Sequence, residues 1–339
     1  MTNGNAAPLT AGKRFVDFVS TRMLWKPRRG RRGMQTEKTK FNIIIPVYNV
    51  GRLCATTILN VLHMDYENYR ITLIDDASTD NTLQVCLAFQ KLAPDKISVL
   101  RSDANRGPTH SVRLGCSYTR DDEIVVQVDG DGDFIRTDIL KHYDICFRNP
   151  ETWLCGAMVE KYSQGTNAAN YDMPIGKAFT RKDGVCHFHP RAWRKWLYFK
   201  VPFYHLVNPE TGQLWRHGSD CSFLWPMWEL AGPDRIVFIP FTAYWHNHDN
   251  PLNTWKTDHV RRERDSYFNF IQSFDPFKRL DGRNSPVERV PKDDMNRDFD
   301  DGIELRIFGE RDTTREQKLK EWKENVWKKT GWRDNSVKA

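Results

Sequence analysis

The most restrictive feature of the sequence is an alternation that begins at Phe41. Short apolar runs, each closed by a turn or by acids, are separated by stretches whose apolar groups recur at helical spacing. FNIIIPVYN, ended by Pro46, reads as a buried strand, and residues 51–64 as a helix. YRITLIDDASTDNT is a second strand ending in carboxylates, followed by a helix that opens at Asp80 or Asn81 and runs to about Lys91. KISVLRS is a third strand, NRGPTHSVRLGCSYT a loop passing into a helix, and EIVVQVDGDGD a fourth strand ending in an acidic cluster. Strands that are apolar throughout are covered on both faces. Their alternation with helices through short connections predicts an α/β fold, a Rossmann-like doubly wound mixed sheet with helices on both faces. Ligands in such sheets sit at the carboxyl ends of the strands. Those ends here carry Pro46–Tyr48, Asp75–Asp76, Asn105–Gly107 and Asp129–Asp133.

The formal charge of +7 suggests a polyanionic partner until it is located. Residues 1–40 hold ten Lys and Arg against Asp17 and Glu37, a surplus of eight, so the remaining 299 residues carry −1. A body of that charge argues against nucleic acid as a partner. The leader, 1–40, combines KRFVDFVSTRMLW with the polybasic KPRRGRR, and reads as either a solvated tail or a helix lying on an anionic membrane surface. No apolar run approaches the ~20 residues of a membrane span, and the amino terminus lacks a secretory signal pattern. Seven scattered cysteines without a CxxC pair fit a reducing compartment. The expected location is therefore cytoplasmic, or peripheral to a membrane surface. Residues 193–215 are rich in aromatics, and from about 275 the chain turns polar before TTREQKLKEWKENVWKKTGW, which reads as one amphipathic helix. The expected organisation is a leader at 1–40, one α/β domain at 41–250 with halves 41–135 and 150–250, and a C-terminal helical extension at 251–339.

DGDGD at 129–133 is the sharpest chemical feature. Three carboxylates at alternating positions repel one another unless something positive sits among them. A hard divalent cation, Mg²⁺ or Mn²⁺, is the natural partner, with positions left open for phosphate oxygens. An EF-hand loop is excluded, because its sixth position would be Phe134 instead of Gly and its twelfth Leu140 instead of Glu. Cys186, His187, His189, His217 and Cys221 have no common zinc-site spacing and read as a chance cluster.

With these pieces in order, the stretch from about Phe41 to His248 resembles the family 2 glycosyltransferases, which have the GT-A fold. The likeness rests on IIIPVYNVGRLCATTILNVL, LIDDASTDNT, NRGPTHSVRLG, VVQVDGDGDF and HGSDCSFLWPMWELAG followed by IVFIPFTAYWHNH. The resemblance implies nucleotide-sugar contacts from Pro46, Tyr48, Asp76, Arg113 and Asp129, with Tyr48 against the base and Asp76 accepting a hydrogen bond from it. It implies metal contacts from Asp131, Asp129 and Asp133, joined by His246 or His248, and Asp220 as general base. Four departures stand out. Gly132 interrupts the acidic run before Asp133; Ser111–Val112–Arg113 stands where members have Ala-Arg-Asn; Ser219–Asp220 leaves one acid of the usual pair; and Pro226 predicts a late start or a kink in the following helix.

The expected activity is metal-dependent, inverting transfer of a sugar from a nucleotide-sugar to a hydroxyl of a glycan, lipid-linked or protein acceptor. Glu210 is a rival for the base. A sugar-1-phosphate nucleotidyltransferase is an alternative, although its Gly-rich, Arg-containing loop is replaced by PVYNVGRLC. A non-catalytic binding protein on the same fold is another.

Overall fold

The computed structural model describes residues 36–132, 134–162, 188–247, 257–287 and 306–308. Asp133, His248, most of the leader and the expected C-terminal amphipathic helix lie outside them, as do Cys186 and His187.

The four expected apolar runs form β1 (Lys40–Val47), β2 (Tyr69–Asp75), β3 (Ile97–Arg101) and β4 (Glu123–Gln127). They pair in parallel in the order β4-β1-β2-β3. Between them run α1 (Leu53–Leu62), α2 (Thr82–Leu92) and α3 (Pro108–Tyr118). Side chains alternate across β1, so Ile43, Ile45 and Val47 enter one core while Ile44 enters the other. The first core lies beneath α1, α2 and α4 (Ile139–Phe147). The second lies beneath α3, α5 (Lys195–Tyr198), α6 (Ser219–Ala231) and α7 (Asp258–Gln272). Helices thus cover both faces, as a doubly wound sheet requires.

The sheet extends beyond the parallel centre. β5 (Phe134–Ile135), β6 (Leu154–Tyr162), β7 (Arg191–Arg194), β8 (Ile236–Asn247) and β9 (Arg306–Phe308) bring the strands among the described residues to nine, in the order β5-β8-β6-β7-β4-β1-β2-β3-β9. β7 is antiparallel to both β4 and β6, and β6 is parallel to β8. It follows that β4, β6 and β8 run the same way and present their carboxyl ends on one side of the molecule.

Helix α6 corrects one expectation. It starts at Ser219, and Pro226 lies inside it, so the helix does not begin late. Proline removes one backbone donor and costs roughly 3 kcal/mol in a helix interior. Phe223, Leu224, Trp225 and Met227 on either side of it are fully buried, and each such burial contributes about 1.5–3 kcal/mol, enough to offset the break. Helix α7 joins the same core through Tyr267 and Ile271. Among the described residues, no helix is long and apolar enough to cross a membrane.

Candidate functional site

The carboxyl ends of β1 and β2 form the first part of the site. After β1 the chain turns through Asn49, at φ 49°, and Gly51. The turn is tied to the segment after β2: Asn49 N–H donates to Ser78 Oγ at 3.0 Å, and Asn49 Oδ1 accepts from Thr79 N–H at 2.8 Å. Thr82 Oγ accepts from Val50 and Gly51 N–H and donates to Asp80 Oδ1. This double stitch leaves Tyr48 on the rim, 43% exposed. Pro46 is half-buried in β1 just before it.

Asp75 and Asp76 are both buried. Arg101 Nε stands 3.5 Å from Asp75 Oδ2, and Ser78 N–H donates to Asp75 Oδ1. The Asp76 carboxylate accepts from the backbone N–H groups of Arg106 at 3.0 Å and Gly107 at 2.7 Å. Burial raises both carboxyls above their ordinary range, and for Asp76 the two amides pull the other way. Asp76 therefore anchors the loop Asn105–Gly107 at the start of α3. That loop is also clamped from outside. Arg216 donates to the Asn105 carbonyl and side chain, while Glu263 of α7 accepts from Arg216 N–H and from the His217 ring at 2.6 Å. The His217 imidazole and these donors hold Glu263 below the usual carboxylate range.

The acidic turn after β4 is packed against β1 and α1. At Gly130 a Cβ would meet Val47 Cγ1 at 2.5 Å and the Pro46 carbonyl at 2.6 Å, so no side chain fits. Gly132, at φ 97°, donates its N–H to Thr57 Oγ at 3.1 Å. Asp129 and Asp131, on either side of Gly130, are half-buried.

Antiparallel register places Arg191 of β7 opposite Gln127, two residues before Asp129. Arg191, only 3% exposed, donates to Asp220 Oδ2 at 2.8 Å and to the Phe188 carbonyl at 3.1 Å. His189 Nε2 stands 3.8 Å from Asp129 Oδ2, and its ring stacks on Tyr244 of β8 at 4.7 Å. His246, two residues further along β8, shares the face of Tyr244. Asp220 occupies the first turn of α6, behind Gly218 at φ 71°, where the helix dipole favours a carboxylate. It is 40% exposed.

The structure thus sets His189 beside Asp129 and joins Arg191 to Asp220, the two partners standing two residues apart at the start of β7. Tyr48 and Asp76 stand at the ends of the neighbouring strands. Arg113 sits apart, its guanidinium over the rings of Phe203 at 4.9 Å and Phe199 at 5.7 Å in the second core. His189 and His217 pair with different carboxylates and do not converge. Glu210 lies on the surface loop, where Ser266 Oγ donates to it at 3.4 Å. Arg191, Arg216 and Glu263 escaped the sequence reading. Arg191 carries no local motif, and only the pairing of β7 with β4 reveals its place.

Among the described residues, no group of three His, Cys, Asp or Glu side chains is arranged to hold a metal ion. Asp129 and Asp131 are nonetheless the hard oxygen donors that Mg²⁺ or Mn²⁺ prefers, and such ions are commonly held by one or two carboxylates plus substrate phosphates. The pair fits that kind of site.

Comparison with known proteins bears on the fold and family. Residues 42–207 match the family model for Glycosyl transferase family 2. The glycosyltransferase GlyG of Streptococcus pneumoniae is 24% identical over 203 residues, 59% of this chain and 59% of its own length. The chain therefore spans well under two thirds of that relative. A mannosyltransferase from Pyrobaculum calidifontis, solved with GDP-Man and Mn²⁺, superposes with a TM-score of 0.51 at 18% identity, covering 78% of this chain and 73% of its own. TarS 1–349 of S. aureus, solved with UDP-GlcNAc, gives 0.50 at 16% identity over 66% of this chain and 64% of its own.

Proposed function

We infer, from a chain whose residues 42–207 belong to glycosyl transferase family 2 and that has the GT-A fold, that it transfers a sugar from a nucleotide-sugar donor to an acceptor hydroxyl. The observation that carries this reading is that one short segment, His189 to Arg191 at the start of β7, meets both acids: His189 stands 3.8 Å from Asp129, and Arg191 holds Asp220 at 2.8 Å. The active unit is taken as residues 41–250, with 41–135 serving the nucleotide and 150–250 the acceptor.

Tyr48, exposed on the rim, offers its ring to the base, and Pro46 and Asp76 shape the nucleotide end beside it. Asp131 and Asp129 would hold a divalent cation, with His246 assigned as a further ligand, and the ion would neutralise charge developing on the leaving diphosphate. Asp220 is assigned as the base of an inverting displacement. Arg191 fixes one of its oxygens and leaves the other for the acceptor hydroxyl, so the base is oriented before the acceptor arrives.

A thermal-shift screen with UDP-, GDP- and dTDP-sugars, with and without Mn²⁺, tests the reading. At least one donor should raise the melting temperature, more strongly with Mn²⁺, because a ligand that binds only the folded state stabilises it. No shift with any donor in either condition would contradict the assignment.

A further inference from the structure

The carboxyl end of the sheet carries a second row of side chains that the chemistry above does not use. Antiparallel pairing sets Phe134 of β5 opposite Trp245 of β8, and parallel pairing sets Trp245 abreast of Glu160 of β6. Side chains abreast on adjoining strands share a face. The indole N–H of Trp245 donates to Glu160 Oε2 at 3.0 Å, and Thr242 Oγ donates to Oε1 at 2.8 Å.

The direction of the row follows from its neighbours. Ile135, Tyr244 and Val159, each one position away, are buried in the first core. Phe134, Trp245 and Glu160 therefore point to the opposite face, the one covered by α6. Arg191 lies on that face too, since Ala192 enters the first core and Trp193 the second. Because β4, β6 and β8 run the same way, the row lies at the end of the sheet that holds Asp129, and Phe134 is only three residues past Asp131. Here a large ring is left 47% exposed, with Trp245 and Glu160 half-buried beside it.

We propose that Phe134, Trp245 and Glu160 form the subsite for the acceptor, and that it takes a neutral pyranose. This rests on the transferase reading above. The apolar surface of a half-exposed aromatic ring packs against the C–H face of a sugar ring. A carboxylate accepts only, so it recognises hydroxyls and repels phosphate or carboxylate substituents. Its two donors, Trp245 and Thr242, fix its plane and leave further lone pairs for sugar hydroxyls. The row shares both its face and its end of the sheet with Asp220, where an acceptor hydroxyl must arrive.

Saturation-transfer NMR on the full chain tests this with methyl glycosides of glucose, galactose, mannose and N-acetylglucosamine, and with glucose 6-phosphate as the anionic comparison. At least one glycoside should bind, the phosphate should not, and Phe134→Ala should weaken binding by about tenfold or more. Glu160→Gln, which keeps the shape and removes the charge, should weaken glycoside binding and relax the exclusion of the phosphate. Nucleotide-sugar thermal shifts on the same samples show that the variants are folded. Nucleotide-sugar binding with no glycoside bound, or Phe134→Ala binding as tightly as the parent, overturns the subsite alone. Phe134-dependent glycoside binding in a protein that binds no nucleotide-sugar keeps the subsite and sinks the transferase reading.

Discussion

A carboxylate that takes a proton from a hydroxyl has to be held still and yet be reachable. Asp220 meets both demands, with its partner Arg191 buried and its own side chain 40% exposed. Asp220→Asn keeps the shape and removes the basic oxygen, and should lower turnover by ~10²–10⁴ with little change in donor affinity. Glu210→Gln should turn over almost normally, and steady-state kinetics giving the reverse pattern would move the base to Glu210. His110 carries a different residue-scale consequence. It is buried on α3 with neither ring nitrogen hydrogen-bonded, and burial, helped by Arg106 and Arg113 and opposed by Asp103, lowers its pKa from 6.5 to about 4. The folded state resists a proton that the unfolded chain accepts, so this contribution is intact above pH 6.5 and is lost as pH falls toward 4, by about 3 kcal/mol in all. Asp75 and Asp76, raised by burial, work in the opposite sense. Urea unfolding of His110→Phe should therefore show a flatter loss of stability between those pH values than the parent. Parallel curves would mean that His110 does not titrate as its burial requires.

At the scale of elements, the half of the molecule built from regular alternation was legible from its own pattern, whereas in the other half only α6 and β8 were, through the resemblance of HGSDCSFLWPMWELAG and IVFIPFTAYWHNH. β1 to β4 and their helices could be seen because each strand is a continuous apolar run with short connections. β7 is four residues long, and its partners β4 and β6 are remote in sequence, so no local period announces it. The same distance hid Arg191, whose role exists only in the register of β7 on β4. Of the late start or kink that Pro226 predicts, the fold excludes the late start, because the burial of Trp225 and Met227 holds the helix together across Pro226. The acidic turn was visible as a motif, but not the reason for its glycine. With Val47 and the Pro46 carbonyl within 2.6 Å of any Cβ, Gly130→Ala has to push the turn away from β1. It should cost about 1–3 kcal/mol of stability, as overpacking does, and weaken Mn²⁺-dependent donor binding at the same time. A Gly130→Ala protein with unchanged melting and unchanged donor response would show that the turn is not set by this contact.

For the whole molecule, charge and chemistry are separated along the chain. The surplus of positive charge belongs to residues 1–40, and the strands that carry the site begin at Lys40. Removing residues 1–35 should therefore leave catalysis on a small acceptor nearly unchanged. If the leader is a surface anchor, the same deletion should abolish sedimentation with anionic vesicles, and salt should weaken binding of the intact chain. Equal sedimentation of both proteins would make the leader a plain tail. The central claim is that the strand-end acids and Asp220 together break a nucleotide-sugar. Its most direct test is release of nucleoside diphosphate from a panel of nucleotide-sugars, with Mn²⁺, with EDTA, and with Mn²⁺ restored. The account predicts release that EDTA abolishes and Mn²⁺ recovers, and that Asp131→Asn lacks while still melting cooperatively. Full release in EDTA would contradict the role given to Asp129 and Asp131, and no release from any donor under any condition would contradict the account itself.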